Sequence, residues 1–320
     1  MQPPLRNVAS SPANPQRLRI ATRGSDLALW QARFVAERLD QIAGLTTELV
    51  VISTQGDRRQ DLALGDPGSI GLFTSEVQQA LLQGEADLAV HSLKDLPAQS
   101  IPGLQRAAVP QRADPRDFLL IHPQAFAPGA PSLPVKPNSR IGTSAARRKA
   151  LLLDARPDVE AAPIRGNVPT RLQKLARGDY DAILLAAAGV QRLGLDLSAW
   201  ECHPLPLQEW PGAPGQGALA VECRSQDREL SQALSAIHLP EVAEQVDLER
   251  ALLQRLGGGC SLPLGAYAER VDGHMHLWAS LGSMAEEPAR PLRRAHVQNL
   301  KAEALVDAAF QQLRNPEKAG

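Results

Sequence analysis

Ala86-Asp87-Leu88-Ala89-Val90-His91-Ser92-Leu93-Lys94-Asp95-Leu96-Pro97 decides the reading of this chain. Ala86 to Val90, apolar except for Asp87, reads as a buried strand of a largely parallel sheet. It passes directly into His91, Ser92, Lys94 and Asp95. In open α/β sheets, ligands bind outside the carboxyl ends of the strands. Asp95 is therefore a candidate general acid/base, or a stabiliser of a developing cation. The plainer alternative is a solvated loop in which Pro97 ends the strand.

Upstream, Leu18 to Thr22 predicts a strand, and Ser25 can N-cap a helix with the apolar stripe Leu27, Trp30, Phe34, Val35, Leu39 and Ile42. Glu48 to Ser53 predicts a second strand and Phe73 to Leu82 a helix. Downstream, a Pro-rich stretch (Pro123 to Pro137) precedes a strand ending at Gly142, a helix through Arg147 and Leu153, a strand end at Ile164, a helix over Pro169–Ala176 and a strand over Asp181–Ala187. A second Pro/Gly-rich crossing, Trp210-Pro-Gly-Ala-Pro-Gly-Gln-Gly217, leads into a strand over Ala218–Glu222. This alternation predicts an α/β fold with mixed, mainly parallel sheets. The two crossings predict two lobes joined by hinges, with the chain leaving the first, building the second and returning. From about Leu239 the pattern changes to a long helix ending at Leu256, strands Leu264–Ala268 and His274–Ser280, and a helix Ala302–Leu313, which predicts a small α+β domain. The expected division is a flexible tail over 1–16, lobe one over 17–111 and 216–236, lobe two over 112–215, and a C-terminal domain over 237–320.

Bulk properties narrow the function. The 320 residues are 43% hydrophobic and 22% charged with a formal net charge of −1. Such a total gives no field toward nucleic acid or membrane, so any anion site must come from local clustering. The three cysteines, Cys202, Cys223 and Cys260, form no CxxC pair and no metal-ligand spacing. No metal is expected, and a reducing compartment is. Residues 1–16 lack an apolar signal segment, and no apolar run approaches the roughly 18–20 residues of a membrane helix. The expected location is the cytoplasm. GxGxxG, P-loop and GxSxG motifs are absent.

Three further clusters carry chemistry. Arg23-Gly24-Ser25 lies where a strand hands over to a helix, a ready anion site or an ordinary turn with a surface arginine. Arg147 and Arg148 follow Gly142-Thr143-Ser144, and Arg165, Arg171 and Arg192 fall near later strand ends and first helical turns. Singly, each reads as a solvated side chain; together they can line one cleft and pair with carboxylates. Gly257-Gly258-Gly259-Cys260 ends a helix and presents one cysteine. It reads either as a glycine cap before a buried cysteine or as a tip bearing a nucleophilic thiolate.

In this order, HSLKDLP (91–97), GTS–RR (142–148), RGNV–TRL (165–172), AAAGVQRLGL (186–195), APGQGALAVEC (213–223) and the GGGC loop resemble hydroxymethylbilane synthases, also called porphobilinogen deaminases. The resemblance covers Leu18 to Leu313. It implies two periplasmic-binding-protein-like lobes around a cleft, with a third domain carrying a dipyrromethane cofactor in thioether linkage to Cys260. Four porphobilinogens would be added head to tail with loss of ammonia, and hydrolysis would free hydroxymethylbilane. The resemblance gives Asp95 the central role: protonating the departing amine, stabilising the methylene-pyrrole cation and assisting final deprotonation. Ser92 and Lys94 match positions that contact cofactor carboxylates. Arg23, Arg147, Arg148, Arg165, Arg171 and Arg192 would neutralise the acetate and propionate groups, and Ser25, Thr143, Ser144 and Gln216 stand in matching cleft motifs. A monomer is expected, with porphobilinogen as its partner. Three departures stand out: no lysine in the loop Gly65–Ile70, Ala145-Ala146 where Ser-Leu is commoner, and Pro169 in place of a small residue.

Two other classes fit parts of the sequence. A non-catalytic two-lobe carboxylate-binding protein explains the arginines and crossings but not the GGGC tip or the third domain. The effector domain of a transcription regulator would need a helix-turn-helix, which residues 1–17 are too short and Pro-rich to supply.

Overall fold

The computed structural model describes residues 17–54, 74–130, 132–259, 262–284, 291–298 and 301–314. The expected tail, the loop Gly65–Ile70 and Cys260 lie outside the described residues. The chain first lays down β1 (Leu18–Arg23), α1 (Asp26–Ala43), β2 (Thr47–Ile52), α2 (Ser75–Leu82), β3 (Leu88–Ser92) and β4 (Leu104–Ala108). It then forms β5 (Asp117–Ile121), β6 (Arg140–Gly142), α3 (Ala146–Ala155), β7 (Glu160–Ala162), α4 (Val168–Ala176), β8 (Ala182–Ala186), α5 (Ala187–Arg192) and β9 (Glu201–Pro204). It returns as β10 (Leu219–Arg224) and α6 (Arg228–Leu234). The last section is α7 (Pro240–Arg255), β11 (Leu264–Val271), β12 (His274–Leu281), β13 (Arg293–Gln298) and α8 (Ala302–Arg314).

The first sheet has the order β2-β1-β3-β10-β4 and the second β7-β6-β8-β5-β9. Within each sheet one strand opposes the other four. That strand is the one arriving from the other lobe: β10 lies antiparallel between β3 and β4, and β5 antiparallel between β8 and β9. The lobes thus exchange a strand at each crossing, in matching positions. This is the two-lobe α/β arrangement expected from the sequence, with mixed, mainly parallel sheets. The antiparallel sheet β11-β12-β13 packs on α7 and α8 around Leu252, Leu277, Leu305 and Leu313, giving the small α+β domain.

Residue chemistry explains the central strand. Leu88 and Val90 pack with Val35 and Leu39 of α1 on one face, while Ala89 packs with Val77 and Leu81 of α2 on the other. A strand covered on both faces reads as a continuous apolar run. Ser25 caps α1 by accepting from the Ala28 N–H at 3.4 Å, and Gly44 ends it in the left-handed conformation.

One expectation is corrected. Pro123–Pro137 is not a crossing. The first crossing is the segment between β4 and β5, and the Pro-rich stretch lies inside the second lobe between β5 and β6, where Phe126 bridges to Val135. The crossings touch: Ala113 N–H donates to the Gly217 carbonyl at 3.1 Å. Glu249 of α7, fully buried, accepts from Arg112 on the first crossing at 2.8 and 3.1 Å. It also accepts from Gly215 N–H on the second crossing at 2.7 Å and from Ala268 N–H of β11 at 3.0 Å. One carboxylate ties both crossings to the C-terminal domain, and its four bonds satisfy a charge that would otherwise be costly to bury.

Candidate active site

Between the lobes lies a cleft of about 730 Å³. The first lobe contributes Arg23, Ser25, Ser92 and Lys94, and the second contributes Thr143, Ser144, Arg148, Arg165, Arg171 and Arg192. Arg23, Ser25, Ser92, Lys94, Thr143 and Ser144 stand at strand ends or in the turns that follow, and Arg148, Arg171 and Arg192 on α3, α4 and α5 just beyond such ends, because parallel strands deliver their C-terminal ends to one edge. The described lining also holds Lys149 and Gln31, which the sequence reading passed over, and a single acid, Asp26. Seven cations (Arg23, Lys94, Arg148, Lys149, Arg165, Arg171 and Arg192) thus face one carboxylate.

The local bonds show how each group is held. Gln31 Nε2 donates to Ser92 Oγ at 2.8 Å. Ser144 Oγ donates to the Ile164 carbonyl at 2.8 Å and accepts from Ile164 N–H at 3.0 Å, so this hydroxyl stitches strand ends together. Arg171 Nε donates to the Gly166 carbonyl at 2.8 Å. Arg192 Nη2 donates to the Gly217 carbonyl at 2.7 Å, and its guanidinium lies 5.6 Å from the Trp30 ring centroid. Pro169 falls in the first turn of α4, behind the N-cap Asn167.

Three expected site residues are placed elsewhere. Arg147 and Gln216 lie beneath the cleft floor on Asp117, a fully buried residue at the start of β5 that sequence reasoning missed. Asp117 meets Arg147 at 2.8 Å and Arg148 at 2.7 Å. It also accepts from Gln216 Nε2 at 2.8 Å and Trp210 Nε1 at 3.1 Å. Gln216 therefore turns its Oε1 toward Lys94, whose Nζ donates to it at 3.4 Å. Asp95 is exposed at the end of a 3₁₀ turn, Leu93–Asp95, beside the described lining and not on it. Side chains on such a turn step about 120° per residue, so Lys94 and Asp95 point apart.

Electrostatics follow from this placement. Burial drives the Asp117 carboxyl upward, but Arg147 and Arg148 overcome it and hold Asp117 well below the usual range. Loss of hydration pulls Lys94 down to about 8; Asp95 opposes that and Arg148 adds to it. Burial, aided by Arg148, lowers Arg171 to about 10, and burial lowers Arg192 to about 10. Among the described residues Lys94, Arg171 and Arg192 form no ion pair with a carboxylate, so this part of the cleft is built to receive anions.

Comparison with known proteins fits this geometry. Residues 18–232 match the family model of the porphobilinogen deaminase dipyromethane cofactor binding domain, and residues 243–314 match that of the porphobilinogen deaminase C-terminal domain. The chain belongs to the porphobilinogen deaminase family. The porphobilinogen deaminase of Syntrophus aciditrophicus is 43% identical over 270 residues, 84% of this chain and 86% of that protein. That of Syntrophomonas wolfei is 41% identical over 309 residues, 91% of this chain and 99% of that protein. Among solved structures, the chain is similar to a periplasmic substrate-binding protein of an ABC transporter from Coxiella burnetii. That match has 17% identity and a TM-score of 0.42 over 71% of this chain and 94% of that one. Among the described residues no helix is long and apolar enough to cross a membrane, and no group of three His, Cys, Asp or Glu could hold a metal ion.

Proposed function

We propose that the interlobe cleft joins four porphobilinogen molecules, each losing ammonia, onto a dipyrromethane primer held by Cys260, and then releases hydroxymethylbilane by hydrolysis. The observation that carries this reading is the cleft's charge: seven cations against one acid around about 730 Å³. Pyrroles bearing acetate and propionate groups form a polyanion that matches it. The primer, when bound, supplies the pyrrole carbon that the first incoming unit alkylates.

Arg23, Arg148, Arg165, Arg171 and Arg192 bind carboxylates directly, with Lys94, Ser92 and Lys149 beside them. Ser25, Thr143 and Ser144 shape the strand ends that carry these groups. Arg147 and Gln216 act from below through Asp117. Asp95 gives a proton to the departing amine, faces the pyrrole N–H of the resulting cation and takes the ring proton at the end. The strand exchange supports lobes over 17–111 with 216–236 and over 112–215, with the cofactor-carrying domain over 237–320. The protein acts as a monomer in the cytoplasm, a compartment that three cysteines without a paired spacing support.

Intact-mass measurement tests the reading. Protein from cells that make porphobilinogen carries an added dipyrrole, which Cys260→Ser removes. An unmodified parent mass would count against it. Asp95→Asn should load the primer and lose about 10²- to 10⁴-fold in turnover, the range for a general acid/base.

A further inference from the structure

The turn that carries Lys94 and Asp95 is gripped from behind by α7, the helix that leads to Cys260. Arg250, midway along α7, donates through Nη1 to the carbonyls of Leu93 at 3.1 Å and Leu96 at 3.3 Å. Through Nη2 it donates to the carbonyls of Pro97 at 2.6 Å and Ala98 at 3.5 Å. A short 3₁₀ turn leaves its last carbonyls without internal partners. Inside this turn only Leu96 N–H bonds back, to the Leu93 carbonyl at 3.2 Å. Pro97 has no N–H to add. Upstream, the turn is fixed by Leu93 N–H donating to the Ala218 carbonyl at 3.0 Å. Among the described residues the Asp95 carboxylate accepts no hydrogen bond, so its place depends on the two flanks of its turn. Arg250 holds the downstream flank.

We infer that Arg250 is a positioning residue that registers the Asp95 turn against the helix bearing the cofactor loop. This rests on the reading of Asp95 as the acid/base. A guanidinium suits the task because its planar fork presents several N–H groups at fixed angles to carbonyls that converge on it. A lysine ammonium reaches fewer of them.

A neighbouring contact separates positioning from simple docking. Arg106 of β4 pairs with Asp247 of α7, which ties the same two bodies together without touching the turn. The test compares Arg250→Met, Arg250→Lys, Arg106→Ala and Asp95→Asn in the full, primer-loaded protein. Arg250→Met should load the dipyrrole by intact mass and keep the KM for porphobilinogen. Its kcat should fall about 10- to 100-fold, the scale of a misplacement near 1 Å. Arg250→Lys should fall less, and Arg106→Ala should stay within about twofold of the parent, as a partly exposed pair would. Amide exchange over residues 93–98 should quicken in Arg250→Met and not in Arg106→Ala. If Arg250→Met does not fold, Arg250→Lys carries the kcat and exchange comparison. The inference is overturned if kcat is unchanged while Asp95→Asn is inactive, if Arg106→Ala loses as much, or if the Arg250 variants fail to load the primer. Full turnover in Asp95→Asn would instead remove the active-site reading beneath it.

Discussion

Asp117 Oδ1 lies 2.7 Å from Nη2 of Arg148, with both side chains buried. Arg147 reaches the other oxygen of the same carboxylate at 2.8 Å. One acid thus offsets two adjacent arginines, and only Arg148 of the pair lines the cleft. Removing the acid would leave two like charges buried together. We expect Asp117→Ala to destabilise the fold by about 3–5 kcal/mol, the cost of breaking a buried pair from one side. Chemical denaturation measures it. The sign with pH follows from the lowered carboxyl: the contribution is complete above the unfolded value of about 4 and is lost as pH falls toward the folded value. The gap between parent and variant should therefore hold from neutral pH to about 5 and shrink below about 4.

Lys94 gives a second pH signature. With a pKa of about 8 the amine is mostly neutral above that pH, and a neutral amine attracts carboxylates weakly. Because kcat/KM reports groups of the free enzyme, we expect kcat/KM for porphobilinogen to fall as pH rises through about 8. Lys94→Arg should move that fall upward, since guanidinium stays charged. Titrations of the substrate itself are common to both proteins, so their ratio isolates Lys94. A ratio flat from pH 7 to 9.5 would remove the assignment.

Much of this was legible in the sequence because the signals are local. The apolar run before His91, the Ser25 cap and the clustered arginines each need only a few neighbours to be read. The exchanged strand β5, Asp-Phe-Leu-Leu-Ile, was not, since four apolar residues without alternation do not by themselves tell a strand from a buried helical segment. Its first residue, Asp117, was missed for the same reason: an acid beside a short apolar run looks like a strand flank. Only the tertiary fold brings Arg147, Arg148, Trp210 and Gln216 to it. Glu249 sits on a helix among other charged residues, and nothing local marks it as the acid that both crossings share. Asp95 and Lys94, adjacent in sequence, were read as one cluster, yet the 3₁₀ turn sends them in different directions.

The crossings make a sharper test of backbone geometry. Gly217 has φ +84°, and a Cβ there would lie 2.5 Å from the Ala113 carbonyl oxygen. Gly178 has φ +75° with open space around it. Both glycines face the same conformational penalty, roughly 1–2 kcal/mol for a side chain in that region, and only Gly217 adds a collision. Gly178→Ala should cost about that penalty, whereas Gly217→Ala should cost well beyond it and lower activity by parting the crossings. Equal losses of stability would show that the Ala113–Gly217 contact is not tight in solution.

The arginine that spans the lobes makes the last test. Arg192 sits at the end of α5 in the second sheet's lobe, but both contacts described above, Gly217 and Trp30, belong to β10's approach and to α1. Trp30 also stacks on Phe34 at 5.4 Å with nearly parallel rings, so the surface beneath the guanidinium is fixed before any ligand arrives. A cation over a tryptophan face contributes about 0.5–2 kcal/mol, more as water is excluded. Trp30→Leu keeps the apolar bulk and removes the ring. If the stack preorganises Arg192 for carboxylates, the KM for porphobilinogen should rise roughly 2- to 30-fold with kcat little changed, since the ring makes no contact specific to the transition state. Trp30→Phe should recover part of the loss because a smaller π face remains. A fall in kcat at constant KM would instead mean that this contact governs movement of the lobes during turnover.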